Sequence, residues 1–109
     1  ERELRTRGLA IDRPRGTPHP RFPAAVYPVD YGYIPETVGG DGAPVDVFAG
    51  SDPERGLVGI IASHDALKGD DEIKLLWGTT EVEVAAIVSF INRGAVTGRL
   101  IRRVLTRAK

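Results

Sequence analysis

The sequence contains no cysteine among its 109 residues, which excludes disulfide scaffolds, thiolate zinc sites and cysteine nucleophiles. It also has no methionine, even at position 1, so we expect residues to be missing at the start. Long apolar runs are absent too: the uncharged run Val84 to Asn92 has nine residues, whereas a membrane-spanning helix needs about 20. No signal peptide is visible. These absences predict a cytoplasmic protein that makes no membrane contact.

The formal net charge of zero is the sum of three unequal blocks. Residues 1–29 carry six arginines and three acids, and residues 30–83 carry three bases and twelve acids. Residues 84–109 carry six bases and no acid. The resulting net charges are +3, −9 and +6. A balanced total argues against a general polyanion binder, while the acidic middle block points to a local role for its carboxylates.

The first two thirds of the chain read as strands and turns. All eight prolines lie between positions 14 and 53, which disfavours helices there. Period-two alternation and β-branched runs predict extended segments at residues 4–11, 24–34, 45–48, 57–62 and 73–77. The residues between the last two form a charged loop at 68–72.

The last third changes to helical periodicity. Thr80 and Glu83 fit a capping box, and Gly94 is placed to end the helix that they begin. A second apolar stripe from Val96 to Ala108 predicts a second helix with an arginine-rich outer face. The predicted fold class is therefore α+β, with the strands curled into a small barrel and helices at the C-terminus. One domain spanning residues 1–109 is expected.

The acids of the middle block are concentrated in predicted loops. Six of the twelve lie in or next to two of these loops: Asp41, Asp46, Asp65, Asp70, Asp71 and Glu72. Two carboxylates about 4 Å apart repel by about 4 kcal/mol at an effective dielectric of about 20, so converging loops would need a counter-ion. An oxygen-only ligand set favours Mg²⁺, with Mn²⁺ as an alternative. The competing interpretation is that these acids are ordinary solvated loop charges.

Basic and phenolic groups accompany these acids. The cations nearest to the strands are Arg13, Arg15, Arg21 and Lys74, and all three tyrosines fall between positions 27 and 33. Arginine, lysine and tyrosine beside a magnesium site are the groups needed for phosphoryl transfer to water. The alternatives are surface arginines and an aromatic packing patch. His19 and His64 are interpreted as hydrogen-bonding loop residues.

Residues 27–37 (YPVDYGYIPET) and 40–47 (GDGAPVDV) resemble the signature region of the soluble family I inorganic pyrophosphatases. Residues 11–20 (IDRPRGTPHP) resemble the entry to that region in short members of the family. The resemblance implies a small, distorted five-stranded β-barrel (OB-like) with flanking helices. It also implies Mg²⁺-dependent hydrolysis of pyrophosphate to two phosphates, often in a homo-oligomer.

The resemblance also assigns roles to residues of this sequence. It implies a metal-binding set consisting of Asp41, Asp46, Asp65 and one of Asp70 and Glu72, between which the spacing does not decide. Tyr31 and Lys74 match phosphate-side positions and, with Asp46, form the expected catalytic group. Arg15 and Arg21 stand in for the phosphate-binding Arg and Lys of the family.

The sequence departs from the family pattern at three places. Ala43 replaces an aspartate that helps to bind metal and activate the attacking water, and Asp30 stands where the family usually has Asn. The Tyr-Lys pair of the family's C-terminal helix has no match better than Arg93. We therefore expect attenuated hydrolysis, or another phosphoanhydride as substrate. The alternatives are a non-catalytic metal- and phosphate-binding or interaction module and, as the weakest reading, a nucleic-acid binder using the arginine-rich helix.

Overall fold

A computed structural model describes residues 8–35, 37 and 44–103. Its elements are β1 (Ala10–Arg13), β2 (Asp30–Ile34), β3 (Val45–Ala49), a 3-10 turn (Pro53–Arg55), β4 (Leu57–Asp65), β5 (Asp70–Trp77), α1 (Glu81–Ile91) and β6 (Val96–Arg102). Asp41 and Ala43 lie outside the described residues. Within these ranges no helix is long and apolar enough to cross a bilayer.

The six described strands form one sheet in the order β1-β2-β3-β5-β4-β6. Neighbouring strands are antiparallel except β3 and β5, which pair in parallel with Asp46 opposite Lys74. The α+β class and the OB-like fold are thus confirmed. The sheet has six strands where five were expected, and β1 and β6 are the two ends of its order, so these described strands do not close into a barrel.

Helix α1 covers one face of the sheet and forms the main core with it. Its buried residues Val84, Ile87 and Ile91 recur at helical spacing. They pack with aromatic and aliphatic side chains of the strands, namely Tyr27, Val29, Tyr31, Phe48, Ile61 and Leu76. A smaller cluster around Ile34 and Val47 forms separately, with Leu75 and Trp77 packed against it. The face of the sheet that α1 covers therefore contains the main core and the first two tyrosines of the signature region.

The helix begins as predicted, whereas the segment after it was predicted wrongly. Thr80 caps α1, and the capping box with Glu83 is complete, while the helix already ends at Ile91, before Gly94. The second helix is wrong over residues 96–102, which form strand β6 with alternating half-buried and exposed side chains, while its predicted last part, residues 104–108, lies outside the described residues. β6 pairs with β4 along its full length, and that pairing overrides the helical spacing of its apolar residues.

The strand boundaries also differ from those predicted. β4 continues to Asp65 and β5 begins at Asp70, so the charged loop expected at 68–72 is a tight turn at 66–69. Gly69 supplies the positive φ of 75° that this turn needs. In the extended segment predicted at 24–34, the strand itself begins only at Asp30. Part of the strand predicted at 4–11 lies outside the described residues, and β1 starts at Ala10.

Candidate active site

A cleft of about 350 Å³ opens on the same sheet face as α1. Alternate residues of a strand point to the same side of a sheet, so β5 directs Asp70, Glu72 and Lys74 into the cleft. Register places Asp46 of β3 opposite Lys74, and Asp65 of β4 opposite Asp70. Three neighbouring strands thus bring together acids that are far apart in the chain.

The ammonium group of Lys74 is the centre of a polar network in this cleft. Its Nζ donates to Tyr31 Oη at 2.8 Å, to Glu72 Oε1 at 2.8 Å and to Asp46 Oδ2 at 3.1 Å. Tyr31 Oη in turn donates to Asp46 Oδ2 at 2.7 Å. The Lys74 side chain is only 12% exposed, and those of Asp46 and Glu72 are 30% exposed. The three residues expected to form the catalytic group therefore lie in direct contact.

Burial and the network define the charges of these groups. Burial raises the pKa of the Tyr31 hydroxyl above its usual value, an effect that the Lys74 charge opposes and Asp46 reinforces. Burial opposes the charge of Lys74, but its interactions with Tyr31, Glu72 and Asp46 outweigh that effect and raise its pKa. At neutral pH the site therefore holds a neutral phenol and a positively charged lysine.

Asp65 occupies the end of β4, at the rim of the cleft. Its Oδ1 accepts hydrogen bonds from the backbone amides of Leu67 at 3.0 Å and Lys68 at 3.2 Å. The hydrogen bond from the Lys68 amide contributes most to lowering the pKa of this carboxyl. Burial opposes the shift, whereas the Leu67 amide and the Arg21 charge add to it. Arg21 Nη1 lies 3.9 Å from Asp65 Oδ2. Asp65 is therefore held ionised and in one orientation, with Arg21 beside it.

The first strand contributes an arginine that was named among the candidate cations but was not assigned to phosphate binding. Arg13 lines the cleft, and its Nη1 donates to Tyr27 Oη at 2.7 Å. Arg15 is not among the cleft-lining residues, and its backbone N–H binds Asp30 Oδ1 at 2.8 Å. A β-bulge between Ile11 and Arg13 shifts the register and sets Arg13 opposite Tyr31. Neither the bulge nor the choice between the two arginines can be deduced from local sequence.

The other wall of the cleft comes from aromatic residues and from the end of the helix. Phe90 and Arg93 line it, so the arginine that was a poor match to the family's missing pair does reach this site. His19 and Phe22 lie on the same wall, in the loop between β1 and β2. Neither residue was predicted to belong to the site, although the prolines on both sides of His19 indicate a rigid loop.

The cleft contains the oxygen donors that a hard divalent cation prefers, but in the described residues they are not gathered around a single point. Four predicted ligands, Asp46, Asp65, Asp70 and Glu72, line it, and all offer oxygen donors, which fit Mg²⁺. In the described part of the chain no three acids or histidines lie close enough to hold a metal ion. Asp46 and Glu72 each bind Lys74 instead. The fifth predicted ligand, Asp41, lies outside the described residues.

Comparisons with known proteins agree with this fold. A family model described as inorganic pyrophosphatase matches residues 8–73, more than half of the chain. An inorganic pyrophosphatase from Coxiella burnetii has a similar structure, with a TM-score of 0.64, 17% identity and coverage of 84% of this chain and 81% of that one. An inorganic pyrophosphatase from Helicobacter pylori has a TM-score of 0.61, 17% identity and coverage of 86% and 81%. No curated protein sequence matches the chain.

Proposed function

The chain belongs to the inorganic pyrophosphatase family, and from this we propose that it hydrolyses pyrophosphate to two phosphates in a Mg²⁺-dependent reaction. One observation carries the proposal beyond family membership. The Lys74 ammonium, bound to Tyr31, Asp46 and Glu72, lies in a cleft that is lined by arginines as well as by further carboxylates. A pyrophosphate–magnesium complex carries both kinds of charge, and this cleft offers a partner for each.

The side chains of the cleft can be divided into those that would bind the magnesium ion and those that would bind the phosphates. Asp46, Asp65 and Asp70, with Asp41, would hold Mg²⁺, which neutralises phosphate charge and activates water when bound. Lys74 and Arg21 would bind the phosphoryl oxygens, since their charges face the cleft. Tyr31 holds the Asp46 carboxylate in place and orients Lys74 through two hydrogen bonds. Arg13, which lines the cleft, would take the phosphate-binding role that was predicted for Arg15.

Phosphate release from pyrophosphate, measured with and without Mg²⁺, tests this function. We expect slow turnover that requires the metal, because Ala43 removes one carboxylate from the family's set. The variant Ala43→Asp should raise turnover, whereas the uncharged control Ala43→Asn should not. No release at high protein concentration, from a sample shown to be folded, would contradict the proposal.

The alternative function is a binding module that holds metal and phosphate without turnover. The residue that favours it is Ala43, and its expected signature is saturable pyrophosphate binding by calorimetry with no phosphate release. A sharp gain of activity in Ala43→Asp would favour an attenuated enzyme over this alternative. The nucleic-acid reading loses its basis, because residues 96–102 form a strand and Arg102 is paired with Glu81.

Four expectations remain predictions: one domain over residues 1–109, a cytoplasmic location, the use of Mn²⁺ in place of Mg²⁺, and a homo-oligomer. The second helix predicted from Val96 to Ala108 would have offered an amphipathic face for an oligomer interface, but residues 96–102 form β6. A sedimentation measurement of the whole chain would determine the assembly directly.

A further inference from the structure

His19 has a position that a loop hydrogen bond alone does not explain. It lines the cleft that also contains Lys74, and its backbone N–H donates to the Ala25 carbonyl at 2.8 Å. The imidazole lies parallel to the Tyr27 ring, with an interplanar angle of 9° and a centroid distance of 5.9 Å. Phe22 and Phe90 contact it at centroid distances of 5.3 and 6.3 Å. Three rings and a backbone hydrogen bond therefore fix its orientation.

One hydrogen bond also fixes the tautomer of this ring. The backbone N–H of Arg21 donates to His19 Nδ1 at 3.0 Å, so Nδ1 must be the unprotonated nitrogen. In a neutral imidazole the proton is then on Nε2, which becomes a hydrogen-bond donor. Within residues 8–35, 37 and 44–103, this bond to Nδ1 is the only one that the ring makes. The donor on Nε2 is thus left available to a ligand.

The surroundings of His19 favour an anionic ligand. Burial, followed by nearby positive charges, holds the pKa of the imidazole below its usual value, so the ring is neutral at neutral pH. Those charges belong to Arg13, Arg21, Arg93 and Lys74, which all line the same cleft. A neutral N–H donor among four cations can approach a phosphoryl oxygen without adding to their mutual repulsion.

We propose that His19 is a substrate-binding residue whose Nε2–H donates a hydrogen bond to a phosphoryl oxygen of bound pyrophosphate. This inference rests on the proposed function and adds to it a residue that fixes the orientation of the substrate. The rings of Tyr27, Phe22 and Phe90 hold the donor in place before the substrate arrives, so little rotational freedom is lost on binding.

Two variants separate the donor from the packing of the ring. His19→Phe keeps an aromatic ring between its neighbours and removes both nitrogens, whereas His19→Gln keeps an N–H donor. We expect His19→Phe to bind imidodiphosphate with Mg²⁺ about tenfold more weakly by calorimetry, since a hydrogen bond to a charged group is lost. Its KM for pyrophosphate should rise more than its kcat falls, and His19→Gln should recover most of the binding.

Nitrogen NMR of the wild-type chain tests the proposal without any variant. The sequence has two histidines, so His64 provides an internal reference. We expect the Nε2-protonated tautomer for His19 and a shift of its signals with imidodiphosphate, while the His64 signals stay constant. If the wild type hydrolyses pyrophosphate, two results would overturn this inference and leave the proposed function intact. They are unchanged His19 signals on addition of imidodiphosphate and unchanged affinity for it in a folded His19→Phe. A wild type that neither binds nor hydrolyses would overturn the proposed function together with it.

Discussion

The Tyr31 hydroxyl donates to Asp46 and accepts from Lys74, so one atom connects a predicted metal ligand to a predicted phosphate ligand. Removing it in Tyr31→Phe should lower kcat/KM for pyrophosphate on the order of tenfold, because both partners lose a hydrogen bond in a partly buried site. Steady-state phosphate release measures the change. Tyr33→Phe is the matched control, since Tyr33 is on the same strand and does not line the cleft. Equal losses in the two variants would show that the hydroxyl network has no special role.

Lys74 offers a more severe test at the same scale. Lys74→Met keeps the length of the side chain and removes the charge, leaving Asp46 and Glu72 without their shared cation. We expect pyrophosphate turnover to fall at least about 100-fold, since a charge-assisted phosphate contact is lost along with the orientation of Asp46. Unfolding in urea shows whether the variant is still folded, and activity close to wild type in a folded sample would contradict the assigned role.

The sequence identified the central residues of the site because their chemistry and order are local features. Tyr31 and Asp46 lie in the signature motifs and Lys74 was matched through the family resemblance, and the structure brings all three into contact. Arg13 and His19 could not be chosen in the same way. Arg13 reaches the cleft because of a β-bulge. His19 is held there by ring contacts with Tyr27 of its own loop and Phe90 of the distant helix. Such contacts depend on the assembled fold.

The beginning of helix α1 is also a link between two elements. Glu83 Oε1 accepts from the Thr80 amide at 2.9 Å and from the Ser51 amide at 3.1 Å, and Ser51 follows β3. We expect Glu83→Ala to lower the free energy of unfolding by about 1–2 kcal/mol, since a cap and a loop contact are both lost. Urea denaturation measures the loss. Val82→Ala, in the same helical turn but 80% exposed and outside the capping box, should lose less, and an equal loss would contradict the capping argument.

The contribution of Glu83 to the free energy of unfolding should decrease as the pH is lowered. Burial opposes the charge of Glu83, but the amides of Thr80 and Ser51 outweigh it and lower the pKa of its carboxyl. A carboxylate with a lowered folded pKa stabilises the protein above its unfolded pKa, about 4.3 for Glu. That stabilisation disappears as the pH falls through the folded value. The stability difference between wild type and Glu83→Gln should therefore narrow below about pH 4, and a constant gap down to pH 2 would be inconsistent with it.

Strand β6 shows that the spacing of apolar residues alone does not distinguish a helix from a strand. Val96 and Leu100 are spaced as on a helix, but the same two residues also satisfy period two with Gly98 between them. The strand prevails because β4 offers backbone partners along its length. Gly98 also has no side chain at the point where Ile91 of α1 would collide with one. Such a close approach is a property of the packed molecule, so the spacing alone could not reveal it.

Across the whole molecule, the acidic middle block of the chain supplies every predicted metal ligand, while bases from all three blocks reach the cleft. Magnesium should therefore stabilise the native state by relieving repulsion among the acids. At a free Mg²⁺ concentration 100 times Kd, the gain is about 2.7 kcal/mol, on the order of 10 °C in Tm for a domain of this size. Thermal unfolding after treatment with EDTA, then with added MgCl₂, measures it.

Two controls make the measurement specific to the site. Sodium chloride at the same ionic strength accounts for general screening. Asp70→Asn removes one predicted ligand at the exposed start of β5, where no packing depends on it. Binding at these acids would be contradicted if Mg²⁺ raised the Tm of the wild type and of Asp70→Asn equally. It would also be contradicted if the wild-type Tm did not respond to Mg²⁺.

The parallel pairing of β3 with β5 has a consequence for how the site comes into being. Asp46 and Lys74 are 28 residues apart in sequence, and their contact depends on this ladder, whereas β4 and β5 meet through a short turn. Non-local pairings are entropically costly and form slowly compared with local hairpins. Competence to bind phosphate is thus tied to a pairing whose strands are much further apart in sequence than those of the β4–β5 hairpin. A chain in which only that ladder has opened would retain its hairpin, yet it would have no site at all.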